Sequence, residues 1–303
     1  MHLHPSKLAT FVPSRIAILI VLLLCLGRFA VAQQKVVKII PAEVSETSGL
    51  FVSKNNLLFV HNDSGDTSRF FAIDAKGNLL STLYFKGDPS TKHSGVIDCE
   101  DMAGGPGPVK DKSYIYLGDI GDNGNSRPYI TVYRFLEPDK LSGIMQIKSE
   151  AVNLKYPNGA QDAETLMIDP ISKELIIITK RQDTVGIYSA ALFFKNGDTL
   201  TMKKQGGLFL PGKGLFKYVV SGDISRDGRQ IIVKTYTGVY YWLRKGKEPI
   251  AQTLKRTPTK LPYTMEPQGE AVGFTPDGKA YLCISEGKNA VIYRYTIPNL
   301  SAN

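Results

Sequence analysis

The residues of this chain that could do chemistry are mostly carboxylates, and they occur in short clusters. Hard oxygen atoms of the kind that Ca²⁺ binds, in sets of about 6–8, are concentrated in two neighbouring stretches. The candidate metal ligands are Glu100, Asp101, Asp119 and Asp122. Carboxylates held this close together raise one another's pKa unless a cation lies among them. We therefore predict a Ca²⁺ site formed by these residues.

A second interpretation of the same carboxylates is structural. Acidic side chains at strand starts accept hydrogen bonds from free backbone N–H groups and so tie one segment to the next. The stretch Asp119–Gly124 resembles part of an EF-hand loop, but its twelfth position is Ile130 where a Glu closes such loops. Zinc is disfavoured, because beyond residue 32 the histidines are His61 and His93 and no cysteine pair has ligand spacing.

Basic residues accompany the acids and could hold an anion. Arg127 offers a planar fork, and Lys180 and Lys234 offer point charges, for a phosphate or carboxylate group of a substrate. The alternative is that these cations form salt bridges with the acids. For hydrolysis, Glu164 or Glu270 is the candidate catalytic residue that orients a water molecule.

The acidic clusters mark an internal repeat that positions these groups. Five copies of an acidic start followed by three short apolar segments align on Leu50, Met102, Leu166, Ile224 and Val272. The steps between these positions are 52, 64, 58 and 48 residues. A repeat of this length that consists only of strands is typical of a β-propeller. We predict an all-β fold, a single propeller with five blades, with six blades as the alternative.

The fourth, outer strand of each blade indicates how the ring closes. Outer strands are predicted at residues 79–85, 151–156, 201–210 and 251–256, but the fifth repeat ends without one. The missing strand is Val36–Ile40 near the N-terminus. Pairing of this segment with Val291–Tyr295 would close the ring and remove an exposed sheet edge.

Connectivity then brings the polar groups to one face. In a four-stranded blade, the loop before the inner strand and the loop between the second and third strands emerge on the same side. The first class of loop carries the acidic clusters, and the second includes residues 61–66, 119–124, 179–181, 234–235 and 285–287. We call this face the mouth of the channel. The loops on the opposite face are predicted to be ordinary turns.

The first 32 residues have the layout of a cleaved secretory signal, which leaves residues 33–303 as one propeller domain. Lys7 and Arg15 precede an apolar run of 11 residues, too short for a membrane span, which needs about 20. We therefore expect a periplasmic or extracellular protein with no membrane span after cleavage. Cys99 and Cys283 lie in repeats that are not adjacent in a five-membered ring, which favours two buried thiols over a disulfide.

The net charge of +9 falls to +6 without the three basic residues of the signal segment. These charges are scattered, so nucleic-acid binding is not expected. The expected partner is a small anionic or ester ligand, or a partner protein, at the channel mouth. We expect a monomer.

Five short motifs resemble those of secreted bacterial propellers grouped with phytase-like esterases. The matching segments are residues 48–50, 98–101, 118–123, 162–164 and 268–271. The resemblance implies a propeller with an acidic mouth that can bind calcium and that acts on phosphate or other esters. We therefore expect a phosphoester or ester hydrolase, and the alternative is a propeller that binds a ligand or protein without catalysis.

Overall fold

The computed structural model describes residues 35–38, 41–91 and 94–298, and five sheets account for most of them. The innermost strand of each sheet contacts the innermost strands of the two neighbouring sheets, so that the five together form a ring. These inner strands, which number blades 1 to 5, are β2 (Thr47–Val52), β6 (Cys99–Pro106), β11 (Ala163–Asp169), β16 (Val219–Ile224) and β20 (Gly269–Phe274).

Each inner strand continues into an antiparallel meander. The second strands are β3 (Leu58–Asn62), β7 (Ser113–Asp119), β12 (Glu174–Thr179), β17 (Gln230–Thr235) and β21 (Ala280–Ser285). The third strands are β4 (Arg69–Ile73), β8 (Ile130–Leu136), β13 (Thr184–Ala191), β18 (Gly238–Leu243) and β22 (Val291–Thr296). The second strands are almost wholly buried, because neighbouring blades cover both of their faces.

The outer strands confirm the five-bladed ring and its closure. Four of them follow the third strand of their own blade: β5 (Leu79–Phe85), β10 (Glu150–Lys155), β15 (Lys203–Phe209) and β19 (Thr259–Leu261). The fifth is β1 (Lys35–Lys38), which pairs antiparallel with β22 of blade 5, Val36 opposite Tyr293. The N-terminal strand therefore completes the last blade, as predicted.

Three outer elements differ from the sequence-based prediction. The segment predicted as a strand at 251–256 is instead a short helix, α1 (Ile250–Leu254), and the outer strand of blade 4 comes later, at β19. Two additional strands, β9 (Gly143–Ile147) and β14 (Asp198–Thr201), pair in parallel with the outer strands of the preceding blades. Each of these two strands therefore links neighbouring blades at the rim.

The apolar core is divided among the interfaces between blades. Five clusters of buried side chains each combine residues of two adjacent blades. Between blades 1 and 2, for example, Phe59, Phe70 and Phe135 are buried and their rings lie 5.0 to 6.2 Å apart. Full burial of one such ring contributes roughly 1.5–3 kcal/mol, so the packing between blades holds the ring together.

One buried ion pair reinforces this packing on the face opposite the mouth. The Arg244 guanidinium, which follows β18, donates to both oxygens of Asp169 at the end of β11, at 2.8 and 3.0 Å. Both side chains are fully buried, and the pair joins blades 3 and 4. The two cysteines, Cys99 and Cys283, are buried free thiols.

The predicted signal segment, residues 1–32, lies outside the described residues. Within the ranges that the structure describes, no helix is long and apolar enough to cross a membrane.

Candidate functional site

A β-bulge occurs at the same place in all five inner strands, near the mouth. The strand register shifts at positions 47–49, 99–101, 163–165, 219–221 and 269–271. A bulge inserts one extra residue and re-aims its side chain. The inserted residues are Ser48, Glu100, Glu164, Val220 and Glu270. Three equivalent positions at the mouth therefore carry glutamate.

In blades 1 to 4 the residue after the bulge lies against the inner strand of the next blade, and only blade 2 supplies a charged side chain at this level. The five residues at this level are Gly49, Asp101, Thr165, Ser221 and Ala271. The Asp101 carboxylate reaches across the axis and accepts hydrogen bonds from inner strands of blades 3 and 4. Its donors are the backbone N–H groups of Met102, Leu166 and Gly222 and the hydroxyl of Ser221, at 2.8 to 3.4 Å.

Asp101 thus links the inner strands of blades 2, 3 and 4. Burial raises the pKa of Asp101, and the four hydrogen-bond donors oppose that shift. Both of its oxygen atoms already have partners, and it is not among the carboxylates that could share a cation.

Five other carboxylates converge at the mouth, between blades 1, 2 and 5. One carboxylate oxygen from each of Asp63, Asp98 and Glu100 lies within 4.8 Å of the others, and the same holds for Asp63, Glu270 and Glu286. Asp63 follows β3, Asp98 precedes β6, Glu286 follows β21, and the other two are bulge residues. We call these five residues the acidic cluster, which Asp63 joins into one group.

Burial and mutual repulsion shift the acidic cluster toward protonation. Loss of water, followed by neighbouring charges, raises the pKa of Asp63 and of Asp98 to about 6. The same two causes raise the pKa of Glu100 well above its usual range, although the Lys180 ammonium opposes the shift. The Glu100 side chain is 3% exposed, and within the described residues its carboxylate forms no hydrogen bond with protein. A bound cation would replace these protons.

Glu270 and Glu286 form a carboxyl pair at the other end of the cluster. Burial, and then the hydrogen bond with Glu270, raise the pKa of Glu286 to about 9, so Glu286 carries a proton at neutral pH. Glu270 also accepts a hydrogen bond from the Tyr236 hydroxyl at 2.6 Å. A protonated carboxyl group beside a second carboxyl group supplies a component of general acid–base chemistry.

Asp119 and Asp122 lie near the acidic cluster but are occupied by the backbone. The Asp119 oxygens accept the N–H groups of Ile97 and Asp98 at 3.0 Å and pair with the Arg127 guanidinium at 2.8 Å. The Asp122 oxygens accept the N–H groups of Ser126 and Arg127, both at 2.9 Å. Of the four predicted metal ligands, the structure therefore brings only Glu100 into the cluster.

The predicted cationic residues are also engaged within the protein. Lys180 forms an ion pair with Glu164, so the predicted catalytic Glu164 faces a cation and lies outside the carboxylate groups that could share a metal. Lys234 is 0% exposed, and its ammonium group donates to the carbonyl of Gly269 and to the Tyr263 hydroxyl. Burial lowers the pKa of Lys234. Lys234 is therefore buried beneath the mouth, whereas Lys180 borders it.

A groove of about 650 Å³ opens beside the acidic cluster, over blades 3 to 5. Lys180 and Tyr236 lie on the side next to the cluster. The other wall is apolar, formed by the exposed side chains of Leu215, Phe216 and Met265 and by the half-buried Tyr218. A ligand in this groove would lie next to both the Glu270–Glu286 pair and the Lys180 ammonium.

Sequence reasoning placed the loops of Asp63, Asp98 and Glu286 at the mouth but did not select these residues as ligands. The sequence does contain a signal for two of them, because Asp63 and Glu286 each come directly after the second strand of their blade. Asp98 lies two residues before the bulge position of blade 2.

Of the comparisons with known proteins, the one with solved structures finds a similarity. No protein-family model matches the chain, and no curated protein matches it. Among solved structures, the chain is similar to the PQQ-bound form of aldose sugar dehydrogenase from Streptomyces coelicolor, at 11% identity and a TM-score of 0.46. That match covers 88% of this chain and 99% of the other. At this level of similarity it carries no inference about activity.

Proposed function

We propose that this propeller binds a divalent cation, Ca²⁺ in the first instance, at its acidic mouth and hydrolyses a phosphoester or another ester there. The observation that carries the proposal is the triangle of Asp63, Asp98 and Glu100, in which three carboxylates meet with raised pKa values. Such a group of hard oxygens is the donor set that Ca²⁺ takes. Water and the substrate would supply the remaining ligands.

The arrangement around the triangle supports hydrolysis of an ester. A bound cation would hold the anionic or carbonyl oxygen of the substrate and polarise it. Glu270 lies where it could accept a proton from a water molecule, and protonated Glu286 could donate one to the leaving group. The resemblance to phytase-like esterases supports the same substrate class.

Binding without catalysis is the second candidate. It is favoured by the state of the predicted substrate-binding residues, since Arg127 pairs with Asp119 and Lys180 with Glu164. The exposed apolar wall of the groove would suit a ligand or a partner protein equally well. For either function we propose that the protein acts in the periplasm or outside the cell, as residues 1–32 indicate; sequencing the N-terminus of the native protein checks cleavage.

Calcium-dependent thermal stability tests the cation site. A ligand that binds only the folded state stabilises it by about 2.7 kcal/mol at a hundredfold excess over its Kd. We expect Ca²⁺ to raise the Tm of the wild type, and Glu100→Gln and Asp98→Asn to remove most of that increase. Asp139→Asn, which alters an exposed carboxylate on the opposite face, is the matched control and should leave the increase intact.

Turnover separates the two candidate functions. With Ca²⁺ bound, we expect hydrolysis of a generic aryl phosphate or aryl acetate, and loss of that hydrolysis in Glu270→Gln with calcium binding retained. A Tm that does not respond to Ca²⁺ or other divalent cations contradicts the site itself. A calcium response without any turnover would favour the binding function.

A further inference from the structure

The face opposite the mouth contains a cavity that the proposed function does not use. Its volume is about 630 Å³, and the turns between the first and second strands of blades 1 to 4 surround it. Five of its lining side chains are cationic and one is acidic. The cations are Lys54, Lys110, Lys112, Lys173 and Arg226, and the acid is Asp111. We call this space the basic cavity.

The long turn of blade 2 forms one wall of the basic cavity and is seated closely on its neighbours. A side-chain carbon at Gly104 would clash with the Phe51 ring, and one at Gly105 would clash with Ile168. Only glycine therefore lets this hairpin approach the channel end, where its tip carries Lys110 and Lys112. The strand β6 continues to Pro106, so the hairpin of blade 2 extends beyond the clash positions before it turns.

Arg226 is held at the opposite side of the basic cavity by contacts with blade 1. Its guanidinium donates to the carbonyl oxygen of Val52 at 3.0 Å and lies over the Phe51 ring, 5.5 Å from the centroid. These contacts orient the planar group, which is the side chain best suited to bind phosphate or carboxylate through two hydrogen bonds.

Nearby acids compensate part of this positive charge, but they do not form ion pairs with all of the lysines. Lys112 pairs with the exposed Asp139 at 3.8 Å, and Arg226 lies near Asp223 and Glu137. The Asp223 oxygens are already occupied by the N–H groups of Ile224 and Phe274. Among the described residues, no ion pair involves Lys54, Lys110 or Lys173.

We propose that the basic cavity binds a small multivalent anion that carries phosphate or carboxylate groups. Its volume lies in the range of ligand pockets, roughly 300–1,000 Å³. Val109 and Phe193, which are 52% and 54% exposed, offer apolar contacts for the rest of such a molecule. The basic cavity shares no residue with the acidic cluster, so this site is independent of the function proposed there.

Calorimetric titration with inorganic pyrophosphate and, separately, with citrate tests the proposal and distinguishes phosphate from carboxylate ligands. We expect at least one probe to bind the wild type, and Lys54→Gln/Lys173→Gln to weaken that binding by about tenfold or more. Arg226→Gln should also weaken it. Binding should disappear near 1 M salt, where the screening length is about 3 Å.

Two control variants locate the binding. Lys279→Gln alters a lysine in the equivalent turn of blade 5, on the same face but outside the basic cavity, and should leave the Kd unchanged. Arg181→Gln alters the mouth and should also leave it unchanged. Neither Lys54 nor Lys173 forms an ion pair among the described residues, so the double variant should keep the Tm of the wild type. No binding of either probe, or equal weakening by Lys279→Gln, would overturn the proposal.

Discussion

The carboxylates near the mouth differ in what their oxygen atoms face. Asp101, Asp119 and Asp122 accept hydrogen bonds from backbone N–H groups, which compensate the cost of burying them. The acidic cluster, by contrast, brings carboxylates together, and their pKa values rise as a result. The first kind of contact stabilises the fold, whereas the second supplies a site that a cation would stabilise.

Replacement of Asp101 tests this division. Asp101→Ala would leave three buried N–H groups and one hydroxyl without an acceptor at the axis, where each unsatisfied group costs about 1–3 kcal/mol. We expect the free energy of unfolding, measured by urea denaturation, to fall by at least about 3 kcal/mol. Asp101→Asn keeps one acceptor oxygen and should cost less.

The calcium response of the same variants is the control. If Asp101 is a structural link, the folded Asp101→Asn variant keeps the increase in Tm that Ca²⁺ gives the wild type. A variant that is as stable as the wild type but no longer responds to Ca²⁺ would place Asp101 among the metal ligands instead.

The division between these carboxylates could not be predicted from the sequence alone. Repeats and connectivity place all of them at the mouth, and that much follows from strand order. Whether a given oxygen meets an N–H group or another carboxylate depends on how each loop folds back on its own backbone. Asp122, for example, closes its loop onto Ser126 and Arg127, four and five residues later, and so is not directed at the cluster.

The position of the bulge in blade 4 is a second feature that the sequence alone could not predict. Alignment on Leu50, Met102, Leu166 and Val272 places the bulge two residues earlier in four blades. In blade 4 the equivalent residue is Gly222 and not Ile224, because the shift there lies between Val219 and Ser221. The apolar pattern alone could not decide between Gly222 and Ile224 as the equivalent residue, because residues two positions apart point to the same side of a strand.

At the scale of elements, the inner three strands of every blade follow from alternating turns and apolar runs. The outer layer does not, because it is less buried and its pattern is weaker. Pro249 precedes the segment predicted as an outer strand in blade 4, and Ile250 and Leu254 are spaced to bury one helical face. That segment is therefore helical. The strands β9 and β14 pair with other blades, which a local pattern cannot reveal.

Removal of β1 tests the closure of the ring. A chain that begins at Pro41 lacks the strand that pairs with β22, so blade 5 would keep three strands and an exposed edge. We expect a lower Tm and a tendency to aggregate, compared with a chain that begins at Lys35. Equal melting temperatures for the two chains would show that the pairing of β1 with β22 contributes nothing to the stability of the propeller.

At the scale of the whole molecule, the two ends of the propeller carry opposite charge. The acidic cluster lies at the mouth, and the basic cavity lies at the opposite end. The net charge of the chain conceals this difference, because the two groups nearly cancel. The two groups share no residue, so each end can bind its own ligand.

The acidic cluster should therefore govern how the stability of the whole molecule depends on pH. The folded-state pKa of Asp98 is about 6 against an ordinary 3.8, so between these values the unfolded chain loses its proton first. Without Ca²⁺, this residue's contribution to the free energy of unfolding is complete below pH 4 and is lost as the pH rises to about 6. Glu286, with a pKa of about 9, extends the loss toward pH 9.

Calcium should reverse this trend, because it binds the ionised carboxylates. We expect the increase in the free energy of unfolding on adding Ca²⁺ to be small at pH 5 and to grow toward pH 8. Urea denaturation of the wild type and of Asp98→Asn, with a chelator and with Ca²⁺, measures both effects. The difference in the free energy of unfolding between the wild type and Asp98→Asn, measured without Ca²⁺, gives the contribution of Asp98 separately from those of other acids such as Asp223. A calcium effect that is as large at pH 5 as at pH 8 would mean that the cation binds elsewhere than at the acidic cluster.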